Sequence, residues 1–195
     1  AAQTRVAAML LLTLRGTPTM YYGDEIGMHD VPIPPNFVQD PFEKNVPGLG
    51  LGRDPVRTPM QWTSDPWAGF SSAQPWLPLA DDFQNVNVAV EFEDVTSLLM
   101  LYRRLIDLRR AEPALSVGGY APLSADDDVM AYLRQAGDRR LLIALNFSEG
   151  ARKFGLKKLN GRPSLILSTR LNRPCGTLPG ELELRGDEGV VVELS

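Results

Sequence analysis

Between residues 23 and 93 the chain shows no sustained helical or strand period and is heavy in Pro, Gly, Asn and Trp. That stretch limits the fold more than any other feature. Connections longer than about 12–15 residues without regular structure are uncommon in compact domains, and those that occur are either disordered or functional. Trp62, Trp67 and Trp76, with stiffening prolines around them, argue for an ordered and functional segment. Its densest part is GRDPVRTPMQW at 52–62. There two arginines flank Asp54, and a Met, a Gln and a Trp follow the second of two prolines.

Both flanks are patterned. In AAQTRVAAMLLLTLR, Val6, Met9, Leu10, Leu12 and Leu14 make a broad apolar face with alanines between them, which predicts a helix over 1–15. Gly16 stops it, as a glycine just past a helix C-terminus does. TPTMYYG then suits a short buried strand through Met20, Tyr21 and Tyr22. Helix, short turn and buried strand are the αβ half of a βαβ unit. Beyond the long segment, Leu98, Leu101, Tyr102, Leu105 and Leu108 recur at helical spacing. Asp94 or Thr96 is placed to cap that helix, Arg109 and Arg110 favour its C-terminal dipole, and Pro113 ends it.

From residue 114 the pattern changes. VMAYLRQ, RRLLIALNFS, SLILS, ELELRG and GVVVEL are short apolar or alternating runs. They are separated by turn signals at Gly137-Asp138, Ser148-Glu149-Gly150 and Asn160-Gly161. This predicts a small antiparallel sandwich or barrel whose apolar residues simply pack a core. The chain therefore divides into 1–112 and 113–195.

The net charge of −4 provides no basic field for nucleic acid or an acidic membrane. The longest apolar run, Val6 to Leu14, is too short to span a bilayer and lacks a signal-peptide cleavage site. The chain opens without Met, in what reads as the middle of a helix, so the start of a larger protein is expected to be missing. A lone cysteine, Cys175, excludes an internal disulfide framework without fixing the compartment; a cytoplasmic place is the expectation.

The only histidine, His29, would have to carry any Ser-His-Asp or Cys-His site, and no G-x-S-x-G elbow accompanies it. No His/Cys cluster has zinc spacing, and GLGLG at 48–52 lies inside the long segment rather than between a strand and a helix. Asp126-Asp127-Asp128 reads as a solvated turn before it reads as a calcium loop. No metal and no cofactor are expected. Asp24 and Glu25 directly follow the expected strand, where a parallel barrel carries its site. Adjacent carboxylates rarely aim at one atom, so they read as loop anchors behind the site.

GTPTMYYGDEIGM (16–28), VQDPFEKNVPGLGLGRDPVRTPMQW (38–62), AGFSSAQPWLPL (68–79) and VNVAVE (86–91) together resemble the C-terminal part of the α-glucosidase and oligo-1,6-glucosidase branch of the α-amylase superfamily. The likeness is densest over 16–112, where the motifs occur in order; the β region is similar by position and pattern only. The resemblance implies a (β/α)8 barrel followed by an antiparallel β-sandwich. It also implies retaining chemistry by an Asp nucleophile, a Glu acid/base and a third Asp in an Asn-His-Asp motif. None of those stretches is present, and His29 follows Met28 rather than Asn. No catalytic residue is therefore expected in this chain, which reads as an α/β barrel remnant plus an all-β C-terminal sandwich and is expected to be inactive alone.

Carried over residue by residue, Arg53 matches the arginine that helps fix the terminal glucose. Arg57 is the second substrate-binding candidate, although with Asp54 it also suits an ion pair that holds the loop. Tyr22, Asp24, Glu25, Asp54 and Trp62 are expected to support the site from behind. The expected partners are an oligosaccharide and the missing N-terminal part of the barrel. A trehalose synthase or sucrose isomerase relative is the rival reading among enzymes, and a non-catalytic sugar-binding or interaction module is the rival outside them.

Overall fold

The computed structural model describes residues 2–123, 128–157 and 159–195. Of the aspartate run at 126–128, the first two residues lie outside the described ones. The chain packs into two compact units, Ala1–Thr19 with Met100–Ser195, and Met20–Leu99.

The first unit contains α1 (Ala2–Thr13), the greater part of α4 (Leu98–Ala111) and the short α5 (Pro113–Ser116). Among its described residues eight strands complete it: β1 (Gly119–Leu123), β2 (Val129–Ala136), β3 (Arg139–Asn146), β4 (Arg152–Gly155), β5 (Pro163–Ser168), β6 (Gly176–Thr177), β7 (Glu181–Leu184) and β8 (Glu188–Leu194). They form an antiparallel six-stranded sheet in the order β1-β2-β3-β8-β5-β6 and a two-stranded sheet, β4-β7. Gly137-Asp138 is the two-residue turn between β2 and β3, and Gly137 takes a positive φ of 56° there. The five strand-like runs in the sequence all form strands; β1, β4 and β6 are additional, short or interrupted by Pro and Gly.

The centre of the large sheet is buried on both faces, which is why β3 and β8 read as unbroken apolar runs rather than alternating ones. One face, with Leu142, Ala144, Val190 and Val192, packs with Phe154 and Leu156 and with Leu182 and Leu184 of β7. The other face is covered by α1, which lies on β3 and β8, and by α5 on β2 and β3. Met9 sits so close over β8 that a Cβ on Gly189 would lie 2.9 Å from its sulfur. Each fully buried Leu or Val here contributes about 1.5–3 kcal/mol relative to exposure.

The C-terminus of α1 is closed by two arginines from elsewhere in this unit. Arg109 donates to the carbonyls of Leu12 at 2.8 Å and Leu14 at 3.2 Å, and also to Gly16. Arg134, wholly buried in β2, donates to the carbonyls of Thr13, Gly118 and Gly119. Carbonyls left open by a helix end thus find charged donors, aligned with the negative end of its dipole. Thr13 gives its hydroxyl proton to the Met9 carbonyl, so Tyr132 must donate to Thr13 Oγ1 at 2.6 Å. Burial pushes the Tyr132 phenol up to about 12, which keeps that donor in place.

The second unit contains α2 (Pro41–Asn45), α3 (Val88–Glu93), single-turn helices at Asp24–Ile26, Pro35–Phe37 and Asp54–Val56, and a turn at Pro66–Gly69, with no strand among its described residues. The buried strand expected over 17–22 is absent. Tyr21 and Tyr22 are 48% and 42% exposed, and the Tyr21 N–H is taken by Asp24 Oδ2 at 3.0 Å. A parallel strand needs a hydrogen-bonded neighbour, and among the described residues none pairs with this segment, so its β propensity has nothing to act on. The expected cap of α4 also differs. Asp94 is spent on a turn, accepting from the N–H and hydroxyl of Thr96, while Glu91 of α3 reaches the Leu99 N–H at 2.9 Å. An acidic group brought close in space thus does the work expected of one close in sequence.

Candidate functional site

The segment around GRDPVRTPMQW is held by carboxylates on backbone N–H groups. Asp40 precedes Pro41 at the start of α2 and accepts from the Phe42 N–H at 2.8 Å, an ordinary N-cap. Its other oxygen receives the Arg53 N–H and Arg53 Nε, each at 3.3 Å, with Arg57 Nη1 at 3.5 Å. Asp54 Oδ2 in turn accepts the N–H groups of Gln39 at 2.6 Å and Asp40 at 2.8 Å. The Phe42 N–H and the Arg53 contacts outweigh the cost of desolvation and hold the Asp40 carboxyl below the usual carboxylate range. Glu43 extends the arrangement into the glycine-rich loop, accepting from the N–H of Gly48 at 2.9 Å and Gly52 at 3.3 Å.

Both arginines therefore pair with Asp40, among the described residues, and Asp54 serves the backbone instead of the ion pair with Arg57 that the sequence suggested. The reason is local. Asp54 opens a single-turn helix with Pro55 behind it, which aims its carboxylate back at the 39–40 backbone. The Arg53 and Arg57 side chains remain 67% and 42% exposed, so each guanidinium is fixed at one edge and free at the other.

Asp40 is the residue that sequence reading passed over. The D-P-F-E pattern at 40–43, a capping residue followed by Pro and then by Glu three positions on, is the signal that marks it. Asp24 and Glu25 bind the backbone of their own turn, at the Tyr21 and Gly23 N–H groups. Tyr22 reaches further: its hydroxyl donates to the Thr58 carbonyl at 2.9 Å. Burial raises its pKa, and the neighbouring Tyr21 phenol adds to this against the pull of Arg57, so the phenol stays a neutral donor.

Trp62 is set by an unusual turn. Trp67, Ala68 and Gly69 are all left-handed, with φ of 58°, 55° and 64°. For non-glycine residues this conformation costs roughly 1–2 kcal/mol each. It is held because the Ala68 carbonyl accepts from both the Trp62 and Thr63 N–H groups, at 2.9 and 3.1 Å. Beside it Gln61 is fully buried, and Asn87 caps α3 through the Val90 N–H at 2.9 Å.

Around these residues lies a cavity of about 700 Å³, lined by the rings of Tyr22, Trp62, Phe70 and Trp76, with Glu25, Arg57 and Gln74 supplying polar groups. It brings together Tyr22, Glu25, Arg57 and Trp62 of the sequence candidates; Arg53, Asp24 and Asp54 are not part of its lining. Among the described residues no group of three or more His, Cys, Asp or Glu could hold a metal ion, and His29 makes only a 3.6 Å contact with Asp82.

A rigid aromatic and guanidinium wall of this kind suits a carbohydrate-active protein, and the comparisons agree. A family model described as alpha amylase, catalytic domain, matches residues 1–118, and the chain belongs to that family. Within it the chain falls in the glucosidase branch. It is 35% identical over 191 residues to the glucan 1,6-alpha-glucosidase of Streptococcus dysgalactiae subsp. equisimilis, covering 89% of this chain and 35% of that protein. It is 42% identical over 146 residues to the trehalose synthase/amylase TreS of Mycobacterium tuberculosis, covering 70% of this chain and 22% of that protein. In structure it is similar to the trehalulose synthase MutB from Pseudomonas mesoacidophila MX-45, with TM-score 0.85 and 28% identity over 100% of this chain and 38% of that one. The chain thus spans between about a fifth and two fifths of the length of these relatives. No helix among the described residues is long and apolar enough to cross a membrane.

Proposed function

We propose that this chain is the C-terminal portion of a retaining α-glucosidase that hydrolyses terminal α-glucosidic bonds in short oligosaccharides. The observation that carries the reading is the Asp40 clamp, which fixes Arg53 and Arg57 at one edge and leaves donors free at the other. Such forks suit sugar hydroxyls or a partner carboxylate. In this reading residues 1–112 are the end of the catalytic barrel with its long last loop, and 113–195 are the C-terminal sandwich. Arg53 and Arg57 are substrate contacts. Tyr22, Asp24, Glu25, Asp54 and Trp62 keep the wall in shape. The nucleophile, the acid/base and the third carboxylate come from the preceding part of the protein, without which the chain is inactive. The enzyme acts in the cytoplasm.

A second reading, supported by the 42% identity to a trehalose synthase and the structural likeness to a trehalulose synthase, is an enzyme that rearranges the glucosyl unit instead of giving it to water. Product analysis decides. The complete enzyme is incubated with isomaltose, maltose and sucrose, and this chain is run alongside on p-nitrophenyl α-glucoside. Free glucose from the complete enzyme only is the expected result. A rearranged disaccharide would replace the first reading by the second, turnover by this chain alone would overturn the catalytic assignment, and no turnover of any α-glucoside would overturn both readings.

A further inference from the structure

We infer that Trp76 is a sugar-stacking, specificity-determining residue that holds the second ring of an α-linked disaccharide; this rests on the oligosaccharide reading above. Two cavities adjoin within the second unit, of about 700 and 280 Å³, and both are lined by Arg57 and Trp76. The larger is walled by aromatic rings, and the smaller holds Asp40 and Asp54. The residue between them therefore faces a place for a ring on one side and fixed polar groups on the other.

Trp76 is 76% exposed, more than any other aromatic residue among those described. Its backbone is pinned: Pro75 and Pro78 bracket it, and Leu77 beside it is buried. Prolines fix φ, and the Leu77 anchor fixes the direction, so the ring is presented on a stiff support. A pyranose offers one face of C–H bonds and an edge of hydroxyls. The C–H face is attracted to the negative face of an aromatic ring, and the hydroxyls need planar donors and acceptors. Gln74, Arg57 and Glu25 stand at the same cavity to supply them.

The test has two arms. In this chain, carrying ¹⁵N-labelled tryptophan, the Trp76 indole resonance is assigned with Trp76→Phe and followed during titration with isomaltose, glucose and sorbitol. The expected result is a saturable shift with isomaltose, weaker binding of glucose by about tenfold, and no response to sorbitol. A resonance that ignores sugar, or that moves only with protein concentration, overturns the proposal, the latter by making the ring a contact between copies. In the complete enzyme, Trp76→Ala is expected to lower the ratio of kcat/KM for isomaltose to that for α-glucosyl fluoride about tenfold, and Trp76→Phe to restore most of it. An unchanged ratio in an enzyme that hydrolyses both sinks the stacking role and leaves the glucosidase reading standing. Saturable binding at Trp76 with no hydrolysis of any α-glucoside does the reverse.

Discussion

Asp40 and Asp54 each hold the backbone that carries the other: Asp54 Oδ2 accepts the Asp40 N–H at 2.8 Å, and Asp40 Oδ2 accepts the N–H of Arg53, next to Asp54, at 3.3 Å. Residues 13–14 apart in sequence are thereby locked into one frame, and the two arginines of the wall take their place from it. Each carboxylate accepts backbone N–H groups: Asp40 those of Phe42 and Arg53, Asp54 those of Gln39 and Asp40. Both are spent on geometry, which agrees with a wall whose chemistry is supplied elsewhere.

Removing one side of this lock is therefore expected to disturb both arginines. Asp40→Ala in the complete enzyme should reduce kcat/KM at least as much as Arg53→Ala, because it releases Arg53 and Arg57 together. The Asp40 carboxyl is held below its ordinary value, so the clamp persists above the unfolded carboxylate range and is lost only as pH falls through the folded value. Steady-state kinetics of the two variants checks this; a smaller loss in Asp40→Ala would show that the clamp is not what positions the arginines.

Arg53→Ala is expected to lower kcat/KM by one to two decades, the loss of a charged hydrogen bond of about 1.5–3 kcal/mol. Its side chain is largely exposed, so the fold should survive, as circular dichroism would show. Arg53→Lys should recover only part, since an ammonium lacks the planar fork. Wild-type kinetics in Arg53→Ala would remove it from the substrate site.

What the sequence made legible followed from local rules. α1, α4 and the strands β2, β3, β5, β7 and β8 carry their pattern in plain residues, such as Leu101, Tyr102 and Leu105, or the run from Leu141 to Leu145. The 52–62 motif stood out by composition and family likeness. Illegible were relations set by distant partners. Nothing beside Arg134 in the sequence says that it will be buried under the end of α1, and nothing beside Glu91 says that it will cap α4. Asp40 was readable as a helix cap, but its hold on Arg53 depends on a loop closing back 13 residues later. The strand over 17–22 failed for the same reason in reverse: its residues suit a strand, and among the described residues none pairs with it.

Arg134 is a charge with no solvent and three carbonyls. Arg134→Met keeps much of the volume but leaves the carbonyls of Thr13, Gly118 and Gly119 without this donor. A destabilisation of about 2 kcal/mol or more is expected, since the Thr13 and Gly118 carbonyls are buried and each orphaned buried carbonyl costs about 1–3 kcal/mol. Urea unfolding followed by circular dichroism measures it; a loss under about 1 kcal/mol would mean that water or a shifted backbone replaces the guanidinium.

Glu188 gives the fold an acid-sensitive point. It is fully buried, with Arg185 Nη2 at 2.7 Å, Arg173 Nε at 3.1 Å and Ser168 Oγ at 2.6 Å. Burial alone would raise its pKa, but the bonds from Arg185 and Ser168 and the charge of Arg173 prevail and leave it below 4.5. A carboxyl depressed by folding stabilises fully above its unfolded pKa and loses that contribution as pH falls through the folded value. Glu188→Gln should therefore cost about 1.5–3 kcal/mol at pH 7 and flatten the decline of stability below pH 4.5. Denaturation midpoints between neutral and acid pH compare the two; parallel curves would exclude Glu188 as the sensitive group.

The last expectation concerns amide exchange, and it follows from what each unit uses to hold its backbone. In the first unit the ladders β2-β3-β8-β5 are continuous, and β3 is covered on both faces. Opening it requires breaking paired strands and exposing Leu141 to Leu145 at once. α1 shares that core through Val6, Met9 and Leu12, all buried, so its amides should exchange as slowly as those of 140–145 although it lies more than a hundred residues away. Residues 20–97 hold their backbone by single turns and by side chains such as Asp24, Glu43 and Asp54, bonds that break one at a time. Their amides should exchange faster, with the buried stretch 58–61 the slowest of them. Residue-resolved hydrogen exchange distinguishes the outcomes. Fast exchange in 6–12 beside slow exchange in 140–145 would show that α1 opens independently of the sheet. Equal protection in 20–97 and the sheet would show that the side-chain clamps cooperate as strongly as a ladder does.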